Sequence, residues 1–154
     1  MGATFHRGGE GENFELGGSA LSLKVGADGT GGTFFLSETT IEPGFVGPPL
    51  HIHRTLHDMF YVLEGTLTVQ VGEDRHEAGG GSFLCVQPET PHTFANLSDA
   101  PVRFLNFNTP GGFEVYMREL AAAWAEIGRP PAPEDLGRIA ASHDIEVVGP
   151  PLSP

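Results

Sequence analysis

From residue 14 to residue 108 the chain repeats one pattern: a short apolar or β-branched run with partial alternation, then a cluster of turn residues. Glycine clusters at 8–9, 17–18, 31–32 and 79–81 supply much of that punctuation. Phe14–Val25 and Thr33–Ile41 are rich in the residues that suit a pleated, half-buried surface. "MFYVLEGTLTVQVG" (59–72) reads as two strands meeting at Glu64–Gly65, and "SFLCVQ" (82–87), "HTFANL" (92–97) and "VRFLNF" (102–107) add three more. About eight strands over 14–108 suffice for a small closed barrel or a two-sheet sandwich.

After residue 108 the period changes. Phe113, Met117, Leu120, Trp124 and Ile127 recur at spacings of three and four, which predicts a helix with one apolar face. "RPPAP" breaks it, "EDLGRIAASH" (134–143) predicts a second short helix, and "DIEVVGPPLSP" (144–154) a terminal strand or extended tail. Residues 112–154 are therefore expected to pack on the barrel as a helical appendage, with Trp124 and its neighbours serving as core.

Composition agrees with this picture and narrows it. A chain of 154 residues is the size of one domain, so 1–154 is read as a single unit with the barrel at about 14–108. Apolar residues are 39% and charged ones 18%, with 22 Gly and 13 Pro, which favours short strands and turns over a bundle. A formal charge of -12 repels phosphate backbones and anionic membrane surfaces, so no nucleic acid and no membrane is expected as a partner. No run nears the roughly 20 apolar residues of a membrane span, and the first residues lack the apolar core of a signal peptide. The expectation is a cytoplasmic protein. Cys85, the single cysteine, has no internal disulfide partner and reads as a small buried apolar residue.

The chemistry concentrates in "PLHIHRTLHDMFYVLEG" (49–65). Residues two apart on a strand share a face, so an extended Leu50–His53 turns His51 and His53 the same way. Pro48 and Pro49 favour that extension. Asp58 opens the next strand, and His92 in "PETPHTFAN" (88–96) offers a third imidazole. Three nitrogens and one oxygen suit a divalent transition metal: Fe, Ni, Co, Cu, Mn or Zn. His6, His76 and His143 read as exposed or hydrogen-bonded residues, Glu64 as a solvated rim charge, and Glu38 as either a rim charge or part of the site.

These residues resemble the two motifs of the cupins. The first, G-x5-H-x-H-x(3,4)-E-x6-G, is similar to Gly44–Gly65, with four residues between His53 and Asp58 and six between Asp58 and Gly65. The second, G-x5-P-x-G-x2-H-x3-N, is similar to Gly81–Asn96, which keeps Gly81, His92 and Asn96 in register. Fifteen residues separate the two, as in compact single-domain members. The sequence departs in three places: the opening Gly comes one residue early, Gln87 and Glu89 replace Pro and Gly, and Asp58 replaces Glu. The resemblance implies a jelly-roll barrel, an all-β fold whose metal is held by His51, His53, His92 and the carboxylate at position 58, and a homodimer.

Asp is shorter than Glu by one methylene, a loss of about 1.5 Å of reach against a metal–oxygen bond of about 2.0–2.2 Å. Three arrangements remain open: Asp58 ligates directly after a backbone shift, it acts through water, or His57 supplies a fourth nitrogen. A strand already begun at residue 57 would point His57 away from Asp58.

The parity that sends Asp58 inward also sends Phe60 and Val62 inward, and Phe94 beside His92, giving an aromatic substrate pocket. Eleven Phe against two Tyr favour a flat apolar or phenolic small molecule. The whole arrangement resembles small bacterial monocupins termed quercetin 2,3-dioxygenase-like. That resemblance implies a metal-dependent dioxygenase or oxygenase acting on an enolic or phenolic, flavonol-like molecule, with Asp58 as catalytic base. Two other readings stand beside it: a non-redox isomerase, cyclase or lyase, and a cupin that binds or senses a small ligand without catalysis.

Overall fold

A computed structural model describes residues 2–153. Its strands are β1 (Glu12–Leu16), β2 (Ser19–Val25), β3 (Phe35–Ile41), β4 (His51–Ile52), β5 (His57–Glu64), β6 (Thr66–Val71), β7 (Asp74–Gly79), β8 (Phe83–Val86), β9 (His92–Ala95), β10 (Val102–Thr109) and β11 (Glu146–Val147). Its helices are α1 (Ala27–Thr30), α2 (Phe113–Ile127) and α3 (Pro133–Ala141). The strands form two antiparallel sheets, in the orders β1-β2-β3-β10-β5-β8 and β11-β4-β9-β6-β7. This is the expected β architecture with helices at its C-terminal end.

Alternation decides what the sheets enclose. Along β10, Val102, Phe104, Asn106 and Asn108 point inward and the residues between them do not. β3 does the same with Phe35, Ser37, Thr39 and Ile41. Each strand therefore carries an apolar part and a polar part on one inner face. Ile41, Phe60, Val62, Leu67, Val69, Val86, Val102 and Phe104 form the apolar core between the sheets. Asp58, Asn106 and Asn108 continue the same inner faces into the polar half.

A second cluster, Leu16, Leu21, Leu23 and Phe35 with Met117, is where α2 covers the β1–β2 end of the larger sheet. Leu120 and Trp124 pack against it as the periodicity predicts, whereas Ile127, in the last turn beyond the reach of the sheet, is 40% exposed. Trp124 also explains the bend between β1 and β2. Gly17 adopts φ +55°, and a Cβ there would lie 2.6 Å from the Trp124 ring.

Phe14–Val25 forms a hairpin that turns at Gly17–Gly18, where the glycine cluster predicts a turn. The tail supplies the expected terminal strand, since β11 pairs with β4, and Leu152 beyond it is buried. Two features differ from expectation. β7 goes unseen in the sequence because nearly all its side chains face solvent, so "DRHEAG" carries no apolar period; its pairing with β6 alone makes it a strand. Cys85 is exposed, contrary to its expected burial: it pairs with Met59 in register, on the face opposite Val86, and Val86 and Leu84 take the places in the core.

Candidate metal centre

β4 is a two-residue strand between β11 and β9. His51 sits opposite His92 in the β4–β9 pairing, and His53 lies two residues further along. Asp58 comes from the other sheet, at the start of β5, in register with Asn108 of β10 and Val86 of β8. Three imidazoles of one sheet thus meet one carboxylate of the facing sheet. One ligand atom from each of the four lies within 4.8 Å of the others, and all four residues are buried. The imidazole centroids are 4.4 Å (His51–His92), 4.9 Å (His51–His53) and 5.3 Å (His53–His92) apart.

The hydrogen bonds behind the rings set what they present. Each Nδ1–H donates to a backbone carbonyl: His51 to Pro49 at 2.8 Å, His53 to Asp144 at 2.5 Å, His92 to Thr90 at 2.9 Å. An imidazole that donates from Nδ1 keeps its lone pair on Nε2, the arrangement of a metal-ligating histidine with an outer partner. The three Nε2 atoms therefore face the carboxylate as acceptors. Oδ2 of Asp58 lies 3.1 Å from His92 Nε2 and 3.7 Å from His53 Nε2. Such an approach is favourable when a proton on Nε2 is donated to Oδ2 or when a cation sits among the four atoms. Two neighbouring atoms sharing one ion at bond lengths of about 2.0–2.2 Å stand roughly 3.0–3.5 Å apart; the His92 contact at 3.1 Å meets that range and the His53 contact at 3.7 Å lies just outside it. The donor set fits a divalent transition metal, and the shorter Asp side chain does reach the cluster.

Electrostatics in the absence of an ion point the same way. Burial, reinforced by the neighbouring His92 and His53, pulls His51 down to about 4. Burial also works against a charged His53, but the Asp58 carboxylate and the Asp144 carbonyl outweigh it and raise His53. Burial opposes ionisation of Asp58 as well, yet the bonds and charges of His53 and His92 overcome it and hold Asp58 far below the usual carboxylate range.

Asp58 is also held from behind. Asn106 Nδ2 and Asn108 Nδ2 each donate to its Oδ1 at 2.6 Å, leaving Oδ2 to face the histidines. Asn108 is 1% exposed, and its own Oδ1 has no hydrogen-bond partner among the described residues. Asp144 supports the His53 side: its carboxylate accepts from the backbone N–H of Arg54, Thr55 and Leu56 and from the Thr55 hydroxyl, shaping the turn between β4 and β5.

His57 does not join the cluster. β5 begins at that residue, so parity turns its side chain away from Asp58. Phe60 and Val62 follow Asp58 along the inner face but are packed into the core, with Phe94 against Phe60 and Phe104; they lie next to the four clustered side chains and line neither cavity described below. His6 and His76 are exposed, and His143 bonds to Glu119 at 2.6 Å. Glu64 is exposed and Glu38 pairs with Arg103 at 3.0 Å, away from the cluster. Asn106, Asn108 and Asp144 were not foreseen. The two asparagines carried a signal, polar side chains at alternate, inward places of an apolar strand; Asp144 carried none, since its role depends on where the tail returns.

Residues 37–108, which hold all four clustered side chains and both asparagines, match the family model described as the cupin domain. The matched stretch, from β3 to β10, is similar to a cupin domain. Quercetin 2,3-dioxygenase of Bacillus subtilis is 25% identical over 126 residues, 80% of this chain but 34% of that protein. An uncharacterized protein of Methanocaldococcus jannaschii is 30% identical over 61 residues, 40% of this chain and 49% of that one. The chain thus spans about half and about a third of the curated relatives it matches. Among solved cupin-like structures, KdgF from Halomonas sp. superposes with a TM-score of 0.64 at 16% identity, covering 75% of this chain and 99% of the other. The polyketide cyclase RemF from Streptomyces resistomycificus gives 0.59 at 22% identity, covering 71% and 80%. At these identities the two structures speak to the fold. No helix among the described residues is long and apolar enough to cross a membrane.

Proposed function

We propose that this cupin-like protein is a metal-dependent oxygenase, most simply a dioxygenase, acting on an enolic or phenolic small molecule. The observation that carries the reading is the set of three imidazoles, each anchored through Nδ1 to a backbone carbonyl, presenting Nε2 to the single free oxygen of Asp58. His51, His53, His92 and Asp58 would hold one divalent transition metal, which supplies Lewis acidity and, where the ion is redox-active, one-electron chemistry. The chain's own groups do the rest. Asn106 and Asn108 occupy Oδ1 of Asp58, so a substrate hydroxyl entering the site meets Oδ2 and can pass its proton there. The Phe60–Phe94–Phe104 cluster excludes water beside the ligands, which strengthens each charge interaction there. The likeness to the Bacillus subtilis dioxygenase, over most of this chain, supports oxygen chemistry over the alternatives.

The test is oxygen uptake by tag-free protein reconstituted separately with Fe, Ni, Co, Cu and Mn, against a panel of enols and phenols. Uptake coupled to substrate loss supports the proposal. Turnover without oxygen consumption replaces it with a non-redox isomerase, cyclase or lyase, and ligand-dependent stabilisation without turnover with a binding module. Homodimerisation through the exposed β8 edge, where Phe83 is 63% exposed, belongs to the same reading and is checked by light scattering.

A further inference from the structure

The four clustered side chains are buried, and two cavities lie to either side of the loop that joins α3 to β11. The one nearer the metal centre has a volume of about 180 Å³ and is walled by Thr55, Leu56, Phe113, Tyr116, His143 and Ile145. Phe113 is a partition between this cavity and the cluster: its ring also meets His53 edge-on, with centroids 6.1 Å apart. Asp144 lines the cavity as well, and its carbonyl accepts the bond from His53. The cavity is thus one side chain away from the metal centre.

Its chemistry is selective. Leu56, Phe113 and Ile145 give it apolar walls, and no Lys or Arg lines it. The Asp144 carboxylate is already taken up by the backbone of residues 54–56. His143, the basic side chain in the lining, is already paired with Glu119, so an anion would find no free counter-charge. The polar group on offer is the Tyr116 phenol, which makes no hydrogen bond to another described residue and which burial keeps neutral by raising it above its ordinary value. His143 packs against the Tyr116 ring, centroids 5.5 Å apart, and Glu119 holds it in place. The size sets the scale of the occupant. An apolar cavity of about 150 Å³ accepts one benzene ring, whereas drug-sized ligands need roughly 300–1,000 Å³.

We propose that this cavity is a binding site for a neutral, single-ring hydroxyaromatic or enolic molecule, its ring against Leu56 and Phe113 and its hydroxyl on the Tyr116 oxygen. The inference rests on the proposed metal-dependent reading for the chemistry that follows binding, and it narrows the substrate from a flavonol-like, three-ring molecule to one ring. α2, the 143–145 loop and the β4–β5 turn then set the specificity.

The probes are 4-fluorophenol, fluorobenzene and 4-fluorobenzoate, followed by fluorine NMR on the protein as purified, with its metal content measured in parallel. Fluorophenol binds, Tyr116→Phe weakens it about two- to tenfold through loss of one hydrogen bond, and fluorobenzene binds both proteins equally. Ile145→Trp fills the space and blocks both, the benzoate does not bind, and quercetin does not displace fluorophenol. Equal fluorophenol affinity in the Tyr116→Phe protein, absence of fluorophenol binding, or displacement by quercetin overturns the proposal. Metal retained in those cases leaves the metal-centre reading intact; fluorophenol binding by a protein that never takes up metal sinks that reading and leaves the cavity.

Discussion

Replacing Asn108 with Leu separates the metal function of the site from its stability. Asn108 donates to Oδ1 of Asp58 at 2.6 Å from a fully buried position, while its own Oδ1 stands unpaired. Losing a hydrogen bond to a buried carboxylate costs about 1.5–3 kcal/mol, and removing a buried unpaired acceptor returns about 1–3 kcal/mol. The two nearly cancel, so the metal-free variant should unfold within about 2 kcal/mol of the parent. Metal binding has no such compensation. Loss of an outer partner of a ligand typically costs about 10–100-fold in affinity, or about 1.4–2.7 kcal/mol, which matches the range for the bond itself. Competition against a chromophoric chelator gives the affinity, and urea unfolding with EDTA present gives the stability. Unchanged metal affinity, or a metal-free variant destabilised by more than about 4 kcal/mol, would show that Asn108 does not hold Asp58 for the ion.

Asp144→Asn should cost about 1–2 kcal/mol at neutral pH, because the carboxylate caps three successive N–H groups. Burial opposes the Asp144 charge, but those N–H groups and the Thr55 hydroxyl outweigh it and depress its pKa. A depressed folded-state pKa means stability that is full above the unfolded value of about 3.9 and fades as pH falls through the folded one, so urea midpoints of the two proteins should converge in acid and stay apart above about pH 5. Gly47→Ala should abolish both folding and metal binding at 37 °C, since Gly47 has φ +73° and a Cβ would lie 1.7 Å from the Phe94 carbonyl, inside the strand that carries His92; circular dichroism of a folded variant would contradict this. At concentrations where light scattering gives a monomer, Cys85 should react with a chromogenic disulfide in the native protein, one thiol per chain and without metal loss, and protection of the monomer until denaturant is added would refute its exposure.

The parts legible in the sequence are those in which one local rule decides. Parity alone brings His51 and His53 to one face, Phe60 and Val62 into the core, and His57 away from Asp58. Helical period alone finds the Met117–Trp124 face of α2. What stayed hidden depends on contacts between distant segments. β7 is a strand because β6 pairs with it, with no apolar pattern of its own. Asp144 reaches His53 across 91 residues because β11 docks on β4. The reach of Asp58 was open for the same reason: side-chain length predicts a shortfall of about 1.5 Å, and only the approach of the two sheets shows that Oδ2 arrives 3.1 Å from His92. The fate of Cys85 turned on parity within four residues of β8, too few for the pattern to resolve.

Elemental analysis of tag-free protein, beside a His51→Ala/His53→Ala variant, tests the central claim most directly. The four-residue centre predicts about one transition-metal ion per chain in the parent and its loss in a variant that remains folded. A parent that stays metal-free after Fe, Ni, Co, Cu, Mn and Zn are each offered, or a double variant that keeps its ion, would contradict it.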